Sequence, residues 1–193
     1  IGGRDRTQNE ILIKRYMEPG DLVFHADITG APFVLLKAGD KQPLEKTLYE
    51  TAQFAASYSR AWREGLGSVD VYWVHPNQVS KSPPMGEYLS KGAFMIYGSR
   101  NYIRNVPLEV AIGLVKRNDE DLQIIGGPPQ AIANQTRIFV RIIPGNESSG
   151  RLAKRIRDLL AKMLPAEERD KLRRISLDEI QRFIPSGRGT IRK

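Results

Sequence analysis

One long amphipathic segment between strand-like segments constrains the fold of this chain most. In residues 44–64, apolar side chains recur every three or four positions, which predicts a helix with one buried face. The segments LVFHA and FVLLK before it, and VDVYWVH after it, have the composition of β-strands. The pattern therefore predicts a sheet packed against a single helix. The apolar positions of that helix are Leu44, Leu48, Ala52, Ala55, Tyr58 and Trp62.

The rest of the chain continues this mixture of strands and helices. Short strands are predicted at residues 93–97, 100–104, 108–116, 121–125 and 137–143, and helices after Gly145. The expected fold class is α+β, with a mixed sheet packed by a long helix, a strand-rich middle and a basic helical C-terminal end. The tail SGRGTIRK contains two glycines and few apolar groups, which predicts a mobile end.

The composition restricts the class of protein. A chain of 193 residues can form one large domain or two small ones. The absence of cysteine excludes disulfides and thiolate zinc sites, which favours a cytoplasmic location. The sequence has no apolar run long enough to cross a membrane and no apolar signal segment at its start, so no membrane partner is expected. A first residue of Ile1 rather than Met indicates a piece of a longer protein.

The net charge of +8 is concentrated at one end of the chain. Residues 1–136 contain 15 basic and 15 acidic side chains, whereas residues 137–193 contain 15 basic and 7 acidic ones. The whole excess therefore lies in the last 57 positions. A basic surface of this kind attracts phosphate polymers, although a solvated helical hairpin is the alternative.

The first candidate motif is GGRDRTQNE near the start. Its two glycines permit close backbone approach, and Asp5 can cap the helix that follows, which leaves Arg4 free to meet phosphate. The amides of Gln8 and Asn9 could contact base edges or bond to the neighbouring loop. A turn followed by the start of a helix, with no bound ligand, explains the glycines and the cap equally well.

The second motif is the strand end FHAD. His25 and Asp27 are two residues apart, so their side chains project to the same face and could form an acid–base pair. A hydrogen bond that holds the following turn is the alternative, and we favour it because no nucleophile is nearby. A metal site at His25, Asp27 and His75 is not expected, because no ligand spacing supports it.

The third motif is the loop HPNQVSKSPPMGEYL. It combines the amide of Gln78, the ammonium of Lys81 and the ring of Tyr88 with a stiff Pro83–Pro84 frame. A loop of this composition suits single-stranded RNA, where cations meet phosphate and aromatic rings stack on bases. Tyr58 and Trp62 are assigned to packing.

Together, the strings GGRDxxQNExL, HADxxGA and QVSKxxPxGEYLxxGxFMIxGxxNY resemble the NFACT-R family over about the first 105 residues. The resemblance implies the RNA-binding part of a ribosome-associated quality-control factor. Such a factor binds tRNA and the large ribosomal subunit carrying stalled peptidyl-tRNA, and supports mRNA-independent tailing of the nascent chain. The domain would bind rather than catalyse, and no cofactor is implied.

The resemblance divides the chain into an RNA-binding core, residues 1–105, and an extension, residues 106–193. The expected partners are tRNA, large-subunit RNA and the remainder of a longer NFACT protein. Two alternatives stay open: an RNA-modifying or RNA-cleaving enzyme, and a surface adhesin, because bacterial relatives have carried a fibronectin-binding label. The candidate RNA-binding residues are Arg4, Asp5, Gln8, Asn9, His25, Asp27, Gln78, Lys81, Glu87, Tyr88, Arg151 and Arg155.

Overall fold

The structure is a computed structural model that describes residues 1–82, 88–117 and 121–192. Its internal contacts divide the chain into two compact units. The first unit comprises Ile1–Arg60 and Ser68–Val106, and the second comprises Ala61–Gly67 and Pro107–Lys193. The predicted α+β class is confirmed. The prediction that residues 1–105 form the RNA-binding core and residues 106–193 an extension stays a prediction.

The elements as far as residue 107 alternate between strands and helices. In chain order they are α1 (Arg6–Ile11), β1 (Leu22–Ala26), β2 (Phe33–Leu36), α2 (Glu45–Ser57), α3 (Arg60–Arg63), β3 (Ser68–Val74), β4 (Val79–Ser80), β5 (Met95–Ile96) and β6 (Asn101–Pro107). A π-helical turn, Leu12–Tyr16, continues α1. The first unit contains a four-stranded sheet with the order β2-β1-β3-β6, and β4 and β5 pair separately.

Both faces of this sheet are buried along its central strands. β1 pairs antiparallel with β2 and with β3, so that His25 lies between Phe33 and Tyr72. One face forms an apolar cluster with the π-helical turn that follows α1. The alternate side chains, such as Phe24 and Val71, are buried as well, and α2 contacts all three of these strands.

The single helix predicted over residues 44–64 is two helices. α2 ends at Ser57, because Tyr58 adopts φ −93° and ψ 10° at its C-cap. The hydroxyl of Ser59 then bonds to the carbonyl of Ala56 at 2.7 Å, which offers the backbone an alternative to the next helical bond. Leu44, predicted to lie on the buried face, occupies the N-cap position of α2 without a side-chain capping bond and is 74% exposed.

The second unit contains the strand-rich middle and the basic helices. Its elements are β7 (Val110–Lys116), β8 (Leu122–Gly127), α4 (Pro129–Ala133), β9 (Phe139–Ser148), α5 (Ser149–Met163), α6 (Ala166–Arg174), α7 (Leu177–Gln181) and β10 (Arg188–Ile191). The four strands form a second sheet with the order β10-β9-β7-β8, in which neighbours are antiparallel. The apolar side of α5 is buried, as its spacing predicts, at Leu152, Ile156 and Leu160.

The prediction of a mobile tail is wrong, because Arg188–Ile191 is a strand that pairs with β9. Backbone hydrogen bonds make this pairing, so it needs few apolar side chains. The indole Nε1 of Trp62 donates to the carbonyl of Arg188 at 2.7 Å. A Cβ at Gly189 would lie 3.1 Å from the Ile143 carbonyl and 3.2 Å from Leu152. The glycine therefore indicates close packing rather than freedom.

Candidate functional site

A groove in the first unit brings together residues of the first two motifs and residues 90–94, which directly follow the third motif. Its volume is about 520 Å³. The start of α1, the turn between β1 and β2, and the loop before β5 form its walls. It is lined by Arg4, Asp5, Arg6, Asn9, His25, Thr29, Gly30, Ala31, Pro32, Phe33, Tyr58, Tyr72, Ser90, Lys91, Gly92, Ala93 and Phe94.

The first wall, the start of α1, is fixed to β2 by buried polar contacts. Asn9 is 7% exposed, and its Oδ1 accepts the backbone N–H of Phe33 at 3.2 Å. The N–H of Gly3 donates to the Phe33 carbonyl at 3.1 Å. A Cβ at Gly3 would lie 2.2 Å from Oδ1 of Asn9, so only glycine fits. Asp5 is the N-cap of α1, as predicted, and its Oδ1 accepts the N–H of Gln8 at 2.8 Å.

The second wall, the loop at residues 88–94, is held by a partly buried carboxylate. Glu10 is only 17% exposed, and it accepts from the ammonium of Lys14 at 2.7 Å, the N–H of Gly92 at 2.8 Å and the ammonium of Lys81 at 3.0 Å. These contacts, that with Lys14 first, lower the pKa of Glu10 to about 2. The loop is thereby fixed to α1 by a carboxylate that stays charged at neutral pH.

Lys81 is occupied by this arrangement. Besides Glu10, its ammonium donates to the carbonyls of Ser90 at 3.2 Å and Ala93 at 3.0 Å. A lysine ammonium has three N–H donors, and these three contacts use them all. In this arrangement Lys81 positions the loop, and its predicted phosphate contact stays a prediction.

The third wall contains His25, whose ring is fixed by the turn that follows β1. Its Nε2 lies 3.1 Å from the carbonyl of Ala31, to which it donates. The favoured alternative from sequence, a bond that holds the turn, is therefore what the structure shows. No hydrogen bond joins His25 to Asp27 among the described residues, and the buried Nδ1 of His25 has no partner there. Burial lowers the pKa of His25, so the ring is neutral at pH 7.

The rim of the groove is cationic. Arg4, Arg6 and Lys91 are all exposed and all line the groove. Within residues 1–82, 88–117 and 121–192, no carboxylate forms an ion pair with any of the three. The acidic residue on the lining, Asp5, is engaged as the helix cap. The groove therefore presents three cations without an ion-pair partner among the described residues, together with the one carboxylate of Asp5, around a partly aromatic floor.

The remaining predicted residues of the first unit lie outside the groove lining. Gln8 accepts the N–H of Arg4 at 3.0 Å, which is the loop-bonding alternative. Gln78 donates to the carbonyls of Tyr97 and Ser99 at 2.9 and 2.8 Å. The exposed Asp27 accepts from the hydroxyl of Tyr102 at 3.4 Å. Tyr88 is 89% exposed, and Glu87 and the Pro83–Pro84 pair lie outside the described residues.

Arg151 and Arg155 belong to the second unit, on the exposed side of α5. Arg155 forms an ion pair with Glu147 at 2.5 Å. Neither arginine lines the groove, and their part in RNA binding stays a prediction.

Sequence reasoning missed Arg6 and Lys91 as groove residues. Both stand at positions that the three resemblance strings leave variable, so only their chemistry could have indicated them. Tyr58 was assigned to packing alone, yet it lines the groove at the end of α2. Burial raises the pKa of the Tyr58 hydroxyl, so it is uncharged in the physiological range.

The described residues lack two features that would indicate other classes of site. They contain no group of three or more His, Asp and Glu side chains that could hold a metal ion. None of the helices described has both the length and the apolar character needed to span a bilayer.

The groove lies within the segment that matches a known family. Residues 1–98 match the NFACT protein RNA binding domain, and this match identifies the class of the chain as an RNA-binding domain. The chain belongs to the NFACT protein RNA binding domain family.

Relatives of this chain are much longer proteins. The chain is 44% identical over 159 residues to the archaeal Rqc2 homolog aRqcH of Methanocaldococcus jannaschii, covering 82% of this chain and 24% of that protein. It is 41% identical over 121 residues to the human ribosome quality control complex subunit NEMF, covering 62% of this chain and 11% of that protein. The chain therefore spans a quarter or less of these relatives.

One solved structure is also similar at a lower level. It is the C-terminal part of the fibronectin/fibrinogen-binding protein from Streptococcus suis, with 23% identity and a TM-score of 0.46. The match covers 55% of this chain and 40% of that one.

Proposed function

We propose that the groove is the RNA-binding site of this domain, and that Arg4, Arg6 and Lys91 contact RNA phosphates. The observation that carries the proposal is that these three cations line one concavity without a carboxylate partner among the described residues. When protein cations contact phosphates, counterions condensed on the RNA are released, which supplies binding free energy.

The walls of the groove support RNA as the ligand. His25, Phe33, Tyr58, Tyr72 and Phe94 supply rings to a space of about 520 Å³, which lies within the range of ligand pockets. Aromatic walls with a cationic rim suit an unpaired nucleotide, whose base meets rings while its phosphate meets arginine. The rigid anchoring of α1 and the 88–94 loop keeps this arrangement in place before RNA binds.

The names of the relatives support a wider role. They are named as an archaeal Rqc2 homolog and as subunits of the ribosome quality control complex. We propose that this domain binds tRNA and large-subunit RNA when stalled peptidyl-tRNA is present, and so supports mRNA-independent tailing of the nascent chain. The remainder of a longer NFACT protein would be its partner, and the cytoplasm its location.

The geometry favours binding over catalysis. A general base must reach the proton that it removes, and in the usual dyad a carboxylate orients it. Here His25 donates to the Ala31 carbonyl, and Asp27 accepts from Tyr102 instead. An RNA-cleaving or RNA-modifying activity at His25 would appear as turnover by the parent protein that His25→Ala abolishes.

The decisive experiment reverses the three rim charges together, in the variant Arg4→Glu, Arg6→Glu, Lys91→Glu. Binding to deacylated tRNA, an unrelated RNA hairpin and duplex DNA would be measured across a salt series. We expect tRNA affinity to fall at least about 100-fold. We also expect the plot of log affinity against log salt to become shallower by about 2, because three phosphate contacts are lost.

The matched control reverses three exposed cations of α5, in the variant Arg151→Glu, Lys154→Glu, Lys162→Glu. Both variants change the net charge equally, so the comparison separates the position of the charges from their total. The proposal fails if the α5 variant loses more tRNA affinity than the groove variant. A pull-down that recovers extracellular matrix protein but no ribosomal RNA would favour the adhesin alternative.

A further inference from the structure

A row of aromatic rings crosses the first sheet and leaves the groove at its far side. The ring centroids are 5.6 Å apart for Phe94–Phe33, 4.8 Å for Phe33–His25, 5.7 Å for His25–Tyr72 and 5.7 Å for Tyr72–Tyr102. The strand register creates this row, because His25 pairs with Phe33 on one side and with Tyr72 on the other. The first four rings line the groove, and Tyr102 lies beyond it on β6.

At its far end the row is covered by an arginine. The guanidinium carbon of Arg104 lies 3.9 Å from the centroid of the Tyr102 ring. The side chain of Arg104 is nevertheless 60% exposed, and Tyr102 is 37% exposed. Arg104 therefore has one side against a ring and a large surface open to solvent.

Asp70 fixes Arg104 in this position. Its Oδ2 accepts from Nη1 of Arg104 at 2.6 Å, and its Oδ1 accepts the backbone N–H of Asn105 at 2.8 Å. The Asn105 N–H first, and then Arg104, lower the pKa of Asp70, so the carboxylate is charged at neutral pH. Asn105 itself has a φ of 51°, a left-handed conformation that asparagine tolerates better than most residues.

The charges at this end are balanced. Two cations, Arg100 and Arg104, are equalled in number by two carboxylates, Asp27 and Asp70. Asp27 accepts from Tyr102, and Asp70 accepts from Arg104. A balanced group attracts phosphate weakly, in contrast to the rim of the groove. A guanidinium that is held over a ring and open on its other side suits a planar, uncharged partner.

We infer that Arg104, supported by Tyr102 and Asp70, is a stacking platform for an unpaired nucleobase of the RNA whose phosphates lie at the groove. This inference rests on the proposed function. Unpaired bases stack on arginine planes in single-stranded RNA recognition. From β2 to β6 there are three inter-strand steps, roughly 14 Å in all, so a short single-stranded segment reaches both places.

The test uses the full chain and a single-stranded RNA of about 12 nucleotides that carries 2-aminopurine, whose fluorescence falls when the base stacks. Arg104→Lys keeps the charge and removes the plane. We expect it to restore the fluorescence and to weaken binding about fivefold to tenfold, with an unchanged salt dependence. Tyr102→Phe keeps the ring and is expected to behave like the parent.

Arg141→Lys is the matched control, because Arg141 also lies near a ring, that of Phe139 at 5.8 Å, and pairs with Glu109 at 3.8 Å in the second unit. It is expected to leave quenching and affinity unchanged. Circular dichroism melting of each variant confirms that it is folded.

Two results would overturn the inference. In the first, Arg104→Lys retains the quenching and affinity of the parent. In the second, Arg104→Ala reduces the salt dependence while Arg104→Lys restores it, which would show a phosphate contact instead of stacking. The groove variant separates these from failure of the proposed function. If that variant still binds the oligonucleotide like the parent, the groove is not the site, whatever Arg104 does.

Discussion

The groove of the first unit gathers cations without ion-pair partners in one concavity, whereas the basic surface of the second unit mixes paired and unpaired cations. At the groove, Arg4, Arg6 and Lys91 have no carboxylate partner among the described residues. In the second unit, several cations are already paired within the protein. These pairs are Arg155 with Glu147, Arg173 with Asp170, Lys116 with Glu168, and Arg141 and Arg192 with Glu109.

The difference shows why net charge and binding site need not coincide. The whole excess of +8 lies in the last 57 residues, whereas residues 1–136 are neutral in sum. A long-range field depends on that sum and attracts any phosphate polymer. A specific contact depends on which cations converge and remain uncompensated. We therefore expect the second unit to raise RNA affinity in general and the groove to select the ligand.

The largest effect on stability is expected from a change that breaks the second unit and leaves the groove residues intact. Trp62 is 1% exposed, and its Nε1 donates to the carbonyl of Arg188. Trp62→Ala should lower the free energy of unfolding by about 3–5 kcal/mol, as measured by urea denaturation. Trp62→Phe, which retains most of the buried ring, should cost less.

Hydrogen exchange locates that effect. Loss of protection in β9 and β10 is the expected result, because Trp62 bonds to the first residue of β10. A loss of less than about 1 kcal/mol in Trp62→Ala would contradict the assignment of Trp62 to the core.

The converse change breaks the groove. Gly92 has a φ of 76°, and a Cβ there would lie 2.4 Å from the backbone carbonyl oxygen of Arg6. Gly92→Ala should therefore cost about 2–3 kcal/mol and weaken tRNA binding, because the 88–94 loop separates from α1. Thermal melting and a tRNA titration measure the two effects.

Gly30→Ala is the control for backbone strain alone. Gly30 also lines the groove with a φ of 81°, but a Cβ there meets nothing within 4 Å. Its cost should be about 1–2 kcal/mol, with a smaller change in affinity. Equal effects of the two substitutions would show that close packing against Arg6 does not hold the loop.

Local signals in the sequence were sufficient to predict several of the helices and strands. The cap at Asp5 depends on residues within three positions, and the predicted strands at β1, β2 and β3 depend on composition within each segment. The buried face of α5 follows from helical spacing alone. Each of these features is decided by neighbours in the chain, which a sequence shows directly.

Whether each cation forms an ion pair could not be predicted, because the pairing depends on residues distant in the sequence. Lys81 is paired with Glu10, 71 positions away, and Arg104 with Asp70, 34 positions away. The motif containing Lys81 suggested a phosphate ligand, but tertiary contacts use its donors. The tail strand was missed for the same reason, since its hydrogen bonds go to the backbone of β9.

A smaller effect on affinity is expected from the second unit. Replacing exposed cations of α5, in Arg151→Ala, Lys154→Ala, Lys162→Ala, should weaken tRNA, hairpin and duplex DNA binding alike, by less than about tenfold at physiological salt. Competition titrations with the three ligands measure the ratio of their affinities. A change in that ratio would move the selective contact from the groove to α5 and reverse the comparison.

The smallest effect concerns pH and the carboxylate that fixes the loop. The pKa of Glu10 is lowered from 4.5 to about 2 in the folded protein. A lowered carboxyl pKa means that the unfolded chain binds the proton more readily. The stabilisation by Glu10 is therefore complete above pH 4.5 and is lost as the pH falls towards 2. Glu10→Gln should lower the melting temperature slightly at pH 7, and its difference from the parent should shrink in that acid range. A difference that stays constant from pH 7 to pH 2 would show that the Glu10 charge does not hold the loop to α1.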